Sequence, residues 1–411
     1  MTMTQPSLAD VRKLDSCDPL RAFRDRFALP EGVIYLDGNS LGALPKSTPQ
    51  RLASIVLEQW GRSLIRSWND HDWIGAPQRV GGKIASLIGA QPEEVIVADS
   101  TSVNLFKLLV AVARLNPERR DIVTEAGNFP TDLHIARSVA ELMGKRLVTV
   151  EAEALMSAIG HQTACVVLSH VHYRSSRRHD MKAITAGAKT VGAPVIWDLS
   201  HSAGAVSLDL NADSIEFAVG CGYKYLNGGP GAPAFLYAAK PLLAQLDSPI
   251  PGWMGHAAPF DFEDEYRPAP GIDRFLAGTP PILSLLALEA GVDLMLDADR
   301  PALFDKSRRL FDLFVSLVAS RCPQLQLVSP RAAALRGSHI AFAHPQASAI
   351  TNALIARGVI GDFRTPDVLR FGLTPLYLGY EDIWNAVEVL ENIMKTSAWR
   401  DPIFAKLGRV T

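Results

Sequence analysis

The sequence predicts an α/β fold: a large domain built on a mainly parallel sheet, followed by a smaller α+β domain. Three observations carry that expectation. From about residue 93, short apolar runs alternate with helical patterns. The runs are continuous rather than polar/apolar alternating, as expected of strands covered on both faces. After about residue 295 the texture changes to one long helix and a set of shorter strands.

Taken in order, EEVIVAD reads as a strand and SVNLFKLLVAVARL as the helix after it. RDIVTEA, TDLHIARSVAELMG and KRLVTVEA read as strand, helix and strand. ACVVLSHVHY, APVIWDLS, IEFAVGCG and APAFLYAA follow as apolar strands, with MKAITAGAKTVG as a helix among them. Such βαβ units cross over right-handedly and gather the strand C-terminal ends on one edge, where ligands bind in open α/β sheets. Then come a long helix (ALFDKSRRLFDLFVSLVAS), QLQLVS, HIAFAH, the helix ITNALIARG, VLRFGL and the helix EDIWNAVEVLENIM. The expected division is residues 1–60 as an N-terminal segment packing on the small domain or on a partner, 61–295 as the large domain, and 296–411 as the small one.

The 411 residues are 48% hydrophobic and 20% charged, an ordinary globular composition with length for more than one core. A net charge of −2 gives no electrostatic case for nucleic acid or an acidic membrane surface. The densest basic run, Arg177-Arg178-His179, reads as a solvated loop. Cys17, Cys165, Cys221 and Cys322 are scattered with no CxxC spacing, which argues against a disulfide framework or a thiolate zinc site and suits a reducing cytosol. MTMTQPSLADVRKLD lacks the apolar core of a signal peptide, and no apolar run is long enough to span a bilayer. A cytoplasmic protein is expected.

Four clusters fall just after expected strands. Asp99-Ser100-Thr101-Ser102 precedes an apolar helix. Alone it is an N-cap; beside other site residues it is an anion site, with free N–H groups, the helix dipole and hydroxyls facing a phosphate. GNFPTD (Gly127 to Asp132) places Pro130 and Asp132 in a helix's first turn and presents Phe129 at a strand edge, where it can stack on a flat ring. WDLSHSAGA ends a strand at Asp198, with His201 three residues on. An aspartate there is often a turn residue; held at depth, it can instead keep a ring nitrogen protonated. Last, GCGYKYLNGGPGAP sets Lys224 among small residues. A desolvated lysine can act as a Schiff-base nucleophile and proton shuttle. Anion cradle, ring clamp, pyridinium partner and lysine are together what pyridoxal 5'-phosphate needs. His170 and His172, two apart on an expected strand, would face the same side; without a third ligand they read as core or site-lining residues rather than a metal site. There is no P-loop, GxGxxG or GxSxG motif.

YLDGNSLGALP, SVNLFKLL, GNFPTD, LSHVHYRSSRRHDM, WDLSHSAGAV, GCGYKYLNGGPGAP, PGWMGH and FLAGTPPIL occur in order from about residue 33 onward. Together they resemble bacterial kynureninases, fold-type I enzymes that use pyridoxal phosphate to hydrolyse L-kynurenine to anthranilate and L-alanine in tryptophan degradation, as homodimers with shared sites. The resemblance implies Lys224 as the lysine bonded to the cofactor and Asp198 as its ring-nitrogen partner. Thr101, Ser102 and Tyr223 would serve the phosphate, Phe129 would stack on the ring, and Pro130, Thr131 and Asp132 would lie close to it. Ser169 and His201 would line the site, and Trp253 and Thr279 would reach it from the neighbouring subunit. Arg370 would clamp the substrate α-carboxylate, and Trp68 would contact its aromatic ring. Some relatives carry asparagine where Thr279 stands, a difference the resemblance links to the ring substituent (kynurenine or its 3-hydroxy derivative). Tyr223 is the candidate acid/base at the carbonyl, with a phosphate ligand as its alternative role. The rival readings are a cysteine desulfurase or β-lyase, and a non-catalytic regulator on the same fold. A desulfurase needs a reactive loop cysteine, whereas Cys322 is expected at a helix end; the N-terminal segment leaves no room for a DNA-binding extension.

Overall fold

The computed structural model describes residues 6–405. The outer ends of the two terminal segments expected above, including the first residues of MTMTQPSLADVRKLD, lie outside the described residues. Thirteen strands are present among the described residues: β1 (Ile34–Tyr35), β2 (Val95–Ala98), β3 (Asp121–Glu125), β4 (Arg146–Val150), β5 (Thr163–Ser169), β6 (Val195–Asp198), β7 (Phe217–Gly220), β8 (Ala234–Ala238), β9 (Gln326–Leu327), β10 (His339–Ala343), β11 (Val359–Ile360), β12 (Asp362–Arg364) and β13 (Val368–Gly372).

Seven of them form the large sheet in the order β2-β8-β7-β6-β5-β3-β4. All neighbours are parallel except β8, which runs antiparallel to both β2 and β7. The expected alternation is therefore met, and β8 is the inversion that periodicity could not reveal. The sheet buries β2, β5, β6, β7 and β8 almost completely, which is why their sequences read as unbroken apolar runs. The helix Thr101–Ala113 lies on one face through Leu105, Leu108, Leu109 and Val112. The helix Ala76–Ile88 covers the other through Val80, Ile84 and Leu87.

The second, antiparallel sheet runs β12-β13-β10-β9, backed by the helices Arg300–Arg321, Ala347–Ile355 and Tyr380–Thr396. Phe314, Phe342 and Phe371 meet at its centre, with ring centroids 5.1 to 6.5 Å apart. The chain before residue 60 is tied down twice. β1 pairs in parallel with β11, and Asp15 caps the helix Tyr380–Thr396 by accepting the N–H groups of Tyr380 and Glu381 at 2.7 and 2.8 Å. Five residues after β1, Ser40 reaches Arg370 of β13.

Candidate active site

Lys224 sits in the turn between β7 and β8, and two glycines explain how the backbone folds so tightly there. A Cβ on Gly222 would lie 2.4 Å from the Pro233 carbonyl oxygen, and one on Gly42 would lie 2.3 Å from that of Lys224 itself. Gly42 N–H donates to the Tyr223 carbonyl at 2.8 Å, pressing the N-terminal segment onto the lysine turn. The lysine is 9% exposed, and its Nζ lies 3.1 Å from His201 Nε2. Burial and the neighbouring ammonium push the His201 ring well below the usual histidine range, so it is neutral and Nε2 accepts. The same ammonium stands 5.8 Å from the Phe129 ring centroid and 5.7 Å from that of Tyr223.

Beneath the lysine, Asp198 ends β6 in register with Ser169 at the end of β5. Its Oδ1 accepts the Ser200 N–H at 2.8 Å and the Ser200 hydroxyl at 2.6 Å. Asp132, in the first turn of the helix Pro130–Leu142, is hydrogen-bonded to it. Burial pushes both carboxyls upward, and their contact raises Asp132 while lowering Asp198. Burial therefore opposes both carboxyls carrying a charge at once, and they titrate as a pair. Asn128 Oδ1 holds the adjoining loop by accepting from Phe129 N–H and Ser169 Oγ, both at 2.7 Å. His172 Nε2 meets the Gly127 carbonyl at 2.8 Å on the other side of that loop. With Ser175 N–H donating to Nδ1 at 3.2 Å, Nε2 carries the proton.

Here the expectation for His170 and His172 is corrected. β5 ends at Ser169, so they do not alternate along a strand: His170 Nδ1 pairs with Ser202 Oγ at 2.9 Å, and His172 positions the Phe129 loop. Among the described residues, no group of three His, Cys, Asp or Glu could hold a metal ion. Thr101 and Ser102 open their helix, as expected of an anion cradle, while Ser100 is the N-cap and accepts Val103 N–H at 3.4 Å. Asp99 turns away to pair with the fully buried Lys107.

The small-domain sheet supplies the opposite wall. Arg370 is 1% exposed, and its guanidinium is already engaged. Nε donates to Asp362 Oδ1 at 2.8 Å and NH2 reaches Asp362 Oδ2. NH1 donates to the Tyr173 carbonyl at 2.6 Å, and NH2 to Ser40 Oγ at 2.9 Å. Arg364 NH2 is a further cation on Asp362, at 2.6 Å. The fork expected to be free for a substrate carboxylate thus gives its Nε side to Asp362, its cross-strand partner, and its outer hydrogens to Ser40 and Tyr173, which leaves one NH1 hydrogen ungiven. Asp362, Ser40 and Tyr173 escaped the sequence reading because their role depends on strand register and not on a local pattern.

Three expected residues do not join this cluster within the chain. Trp68 packs edge-on against Trp73 with centroids 5.8 Å apart. Trp253 is 40% exposed and meets Phe260 at 5.7 Å, and Thr279 is exposed.

The residues present fit pyridoxal phosphate. A buried carboxylate, Asp198, has no arginine on it among the described residues, Lys224 lies close enough to act on it, and the half-exposed Phe129 ring lies 5.8 Å from the lysine nitrogen. His201 Nδ1 is buried without a partner among the described residues, as expected of a ring that lines a ligand.

Residues 303–390 match the family model for the kynureninase C-terminal domain. The chain is 48% identical to the kynureninase of Burkholderia mallei (strain SAVP1) over 97% of its own length and 98% of that protein. It is 48% identical to that of Pseudomonas fluorescens over 98% and 99%. Among solved structures it resembles the apo cysteine desulfurase of Thermococcus onnurineus NA1, with a TM-score of 0.76, 20% identity, and 96% and 99% of the two chains covered. It also resembles a C-DES variant with glycine covalently linked to its PLP cofactor, with a TM-score of 0.80, 16% identity, and 90% and 99% covered. At those identities the structural likenesses show the fold; the full-length relatives show more, and the chain belongs to the kynureninase family.

Proposed function

We propose that this enzyme uses pyridoxal 5'-phosphate to hydrolyse L-kynurenine, or its 3-hydroxy derivative, to anthranilate or 3-hydroxyanthranilate and L-alanine. The observation that carries the reading is the placement of Lys224 between a buried, arginine-free carboxylate and a small-domain arginine face.

Lys224 would hold the cofactor covalently and would be the base at Cα. Asp198 would keep the ring nitrogen protonated, and Phe129 would stack on the ring. Pro130, Thr131, Ser169 and His201 complete the pocket around it, and Thr101 and Ser102 receive the phosphate at their helix start. The bound cofactor supplies the electron sink that stabilises negative charge first at Cα and then at Cβ. Arg370 would meet the α-carboxylate from its NH1 side, where one hydrogen is ungiven. Water adds to the γ-carbonyl, the Cβ–Cγ bond breaks, the acyl carbon leaves as the anthranilate carboxyl group, and Cβ takes a proton to become the alanine methyl. Burial raises the Tyr223 phenol, so it remains a proton donor at neutral pH and is our candidate for the acid at the carbonyl and at Cβ.

The desulfurase reading is disfavoured by Cys322, which is buried at a helix C-cap with its thiol pushed up to about 12 by burial, the opposite of a reactive thiolate. We further propose a cytoplasmic homodimer in which Trp253 and Thr279 complete the neighbour's site and Trp68 contacts the substrate ring. The exposed apolar residues Trp253, Phe260 and Phe262, and Leu57, Trp60, Leu64 and Ile65, support such an interface. No helix of the described residues is long and apolar enough to cross a membrane. Residues 61–295 are assigned to the cofactor domain, 296–411 to the small domain, and 1–60 to the segment that joins it or the partner.

The test is to incubate cofactor-loaded protein separately with L-kynurenine, 3-hydroxy-L-kynurenine and L-cysteine and to identify the products by mass. Anthranilate or its hydroxy derivative with alanine is expected. Alanine and sulfide from cysteine alone would move the enzyme to the desulfurase class.

A further inference from the structure

His339 opens β10 and is completely buried. In the β10–β13 pair it stands opposite Gly372, while Ala341 stands opposite Arg370. Opposed residues share a face of a sheet, as do residues two apart on one strand. His339, Arg370 and, through β12, Asp362 therefore project from one face. That face meets the lysine turn: the His339 ring centroid is 5.3 Å from that of His201, whose Nε2 lies 3.1 Å from Lys224 Nζ. Among the described residues, neither ring nitrogen of His339 has a hydrogen-bond partner. The carboxamide of Asn39, packed over Gly372, has none either. Buried polar groups are nearly always satisfied, so an imidazole left open at this depth is a group reserved for a ligand. Burial, with Arg370 beside it, keeps the ring neutral, giving one donor and one acceptor.

We propose that His339 is a substrate-contacting residue whose ring N–H donates to the α-carboxylate held by Arg370. The proposal rests on the amino-acid substrate class of the reading above. Arg370 gives its Nε side to Asp362, its outer NH2 hydrogen to Ser40 and one NH1 hydrogen to Tyr173, leaving one NH1 hydrogen. A carboxylate taken out of water needs more donors than remain. A neutral donor on the same sheet face supplies one without adding positive charge beside Arg370.

The test uses the full-length, cofactor-loaded enzyme and its His339→Leu and His339→Gln variants. The readouts are L-alanine affinity by calorimetry, kcat and KM for L-kynurenine, and thermal unfolding. Leucine in place of His339 is expected to weaken L-alanine binding and raise KM by about tenfold or more, with kcat changed by less than about threefold. Glutamine keeps a donor and is expected to stay within about threefold of the parent in all three. The leucine variant should unfold no earlier than the parent, because the nitrogens it removes bond to no protein group. Unchanged L-alanine affinity, a loss confined to kcat, or failure of the leucine variant to fold would each overturn the proposal. Absence of kynurenine hydrolysis by the parent enzyme would instead refute the substrate reading, while the alanine titration still decides the role of His339.

Discussion

Asp198 and Asp362 are both buried aspartates within one site, 7% and 1% exposed, yet the protein surrounds them in opposite ways. Asp362 takes Arg370 through two nitrogens, Arg364 through one and the Ser40 hydroxyl at 2.8 Å. Among the described residues, Asp198 takes the Ser200 N–H and hydroxyl, stands beside Asp132, and has Lys224 and no arginine as its nearby cation. A buried charge lacking its counterion is costly, and it persists where a ligand brings one. The difference separates two jobs. Asp362 orients an arginine that is permanently present, and on the proposed reading Asp198 would meet the positive ring nitrogen of a bound cofactor.

That contrast can be broken at several points. The largest expected effect is Lys224→Ala, which would remove the proposed covalent anchor and Cα base together. Turnover should fall by about 10³-fold or more, and borohydride treatment should no longer fix the cofactor to the chain by intact mass. A lysine-linked adduct in that variant would displace Lys224 from its role.

On the other side, Asp362→Asn leaves Arg370 without its orienting anion. KM for L-kynurenine should rise about 10- to 100-fold, with a smaller change in kcat. Steady-state kinetics in which kcat alone drops would mean that Asp362 belongs to the chemistry.

A third test reads the same region through pH. Burial and then Asp362 push the Asp37 carboxyl up to about 7. In the unfolded chain it titrates near 4. Between about pH 4 and 7 the folded protein therefore keeps a proton that the unfolded chain has released, and stability falls as pH rises through that window. Asp37→Asn should flatten this fall by roughly 2 kcal/mol, read from urea unfolding at pH 5 and pH 8. An unchanged pH slope would remove Asp37 from the Asp362 cluster.

The smallest expected effect is at the ring clamp. Phe129→Leu keeps apolar contact but loses the aromatic face, so cofactor affinity should weaken about 3- to 10-fold. A loss as large as that from Lys224→Ala would mean that the loop, and not the ring face, had failed.

The two sides of the site were also unequally legible in the sequence. The large-domain elements announce themselves locally: parallel strands buried on both faces must be continuous apolar runs, and β5 and β6 end at Ser169 and Asp198. The glycines around Lys224 mark a backbone that must approach closely, and Pro130 marks a helix start. On the small-domain side, Arg370 was found through the family motif alone. Asp362 lies in a three-residue strand and His339 reads as the first residue of an ordinary one; both gain meaning only from the pairing of β12, β13 and β10. Ser40 reaches Arg370 across 330 positions of sequence, a contact that no local pattern records. The misplaced strand end at His170 and His172 has the same origin. HVHY reads as a continuation of the strand before it, whereas the chain leaves the sheet after Ser169 and turns, with His172 meeting Gly127.

The contrast itself is tested most directly by titrating apo-protein with pyridoxal 5'-phosphate in the parent, Asp198→Asn and Asp362→Asn forms. If Asp198 is held underpaired to serve as the counterion of the cofactor ring, Asp198→Asn should weaken binding by about 10-fold or more. Asp362→Asn should then leave affinity within about twofold. Equal losses in the two variants, or none for Asp198→Asn, would contradict the assignment of the two carboxylates to different jobs.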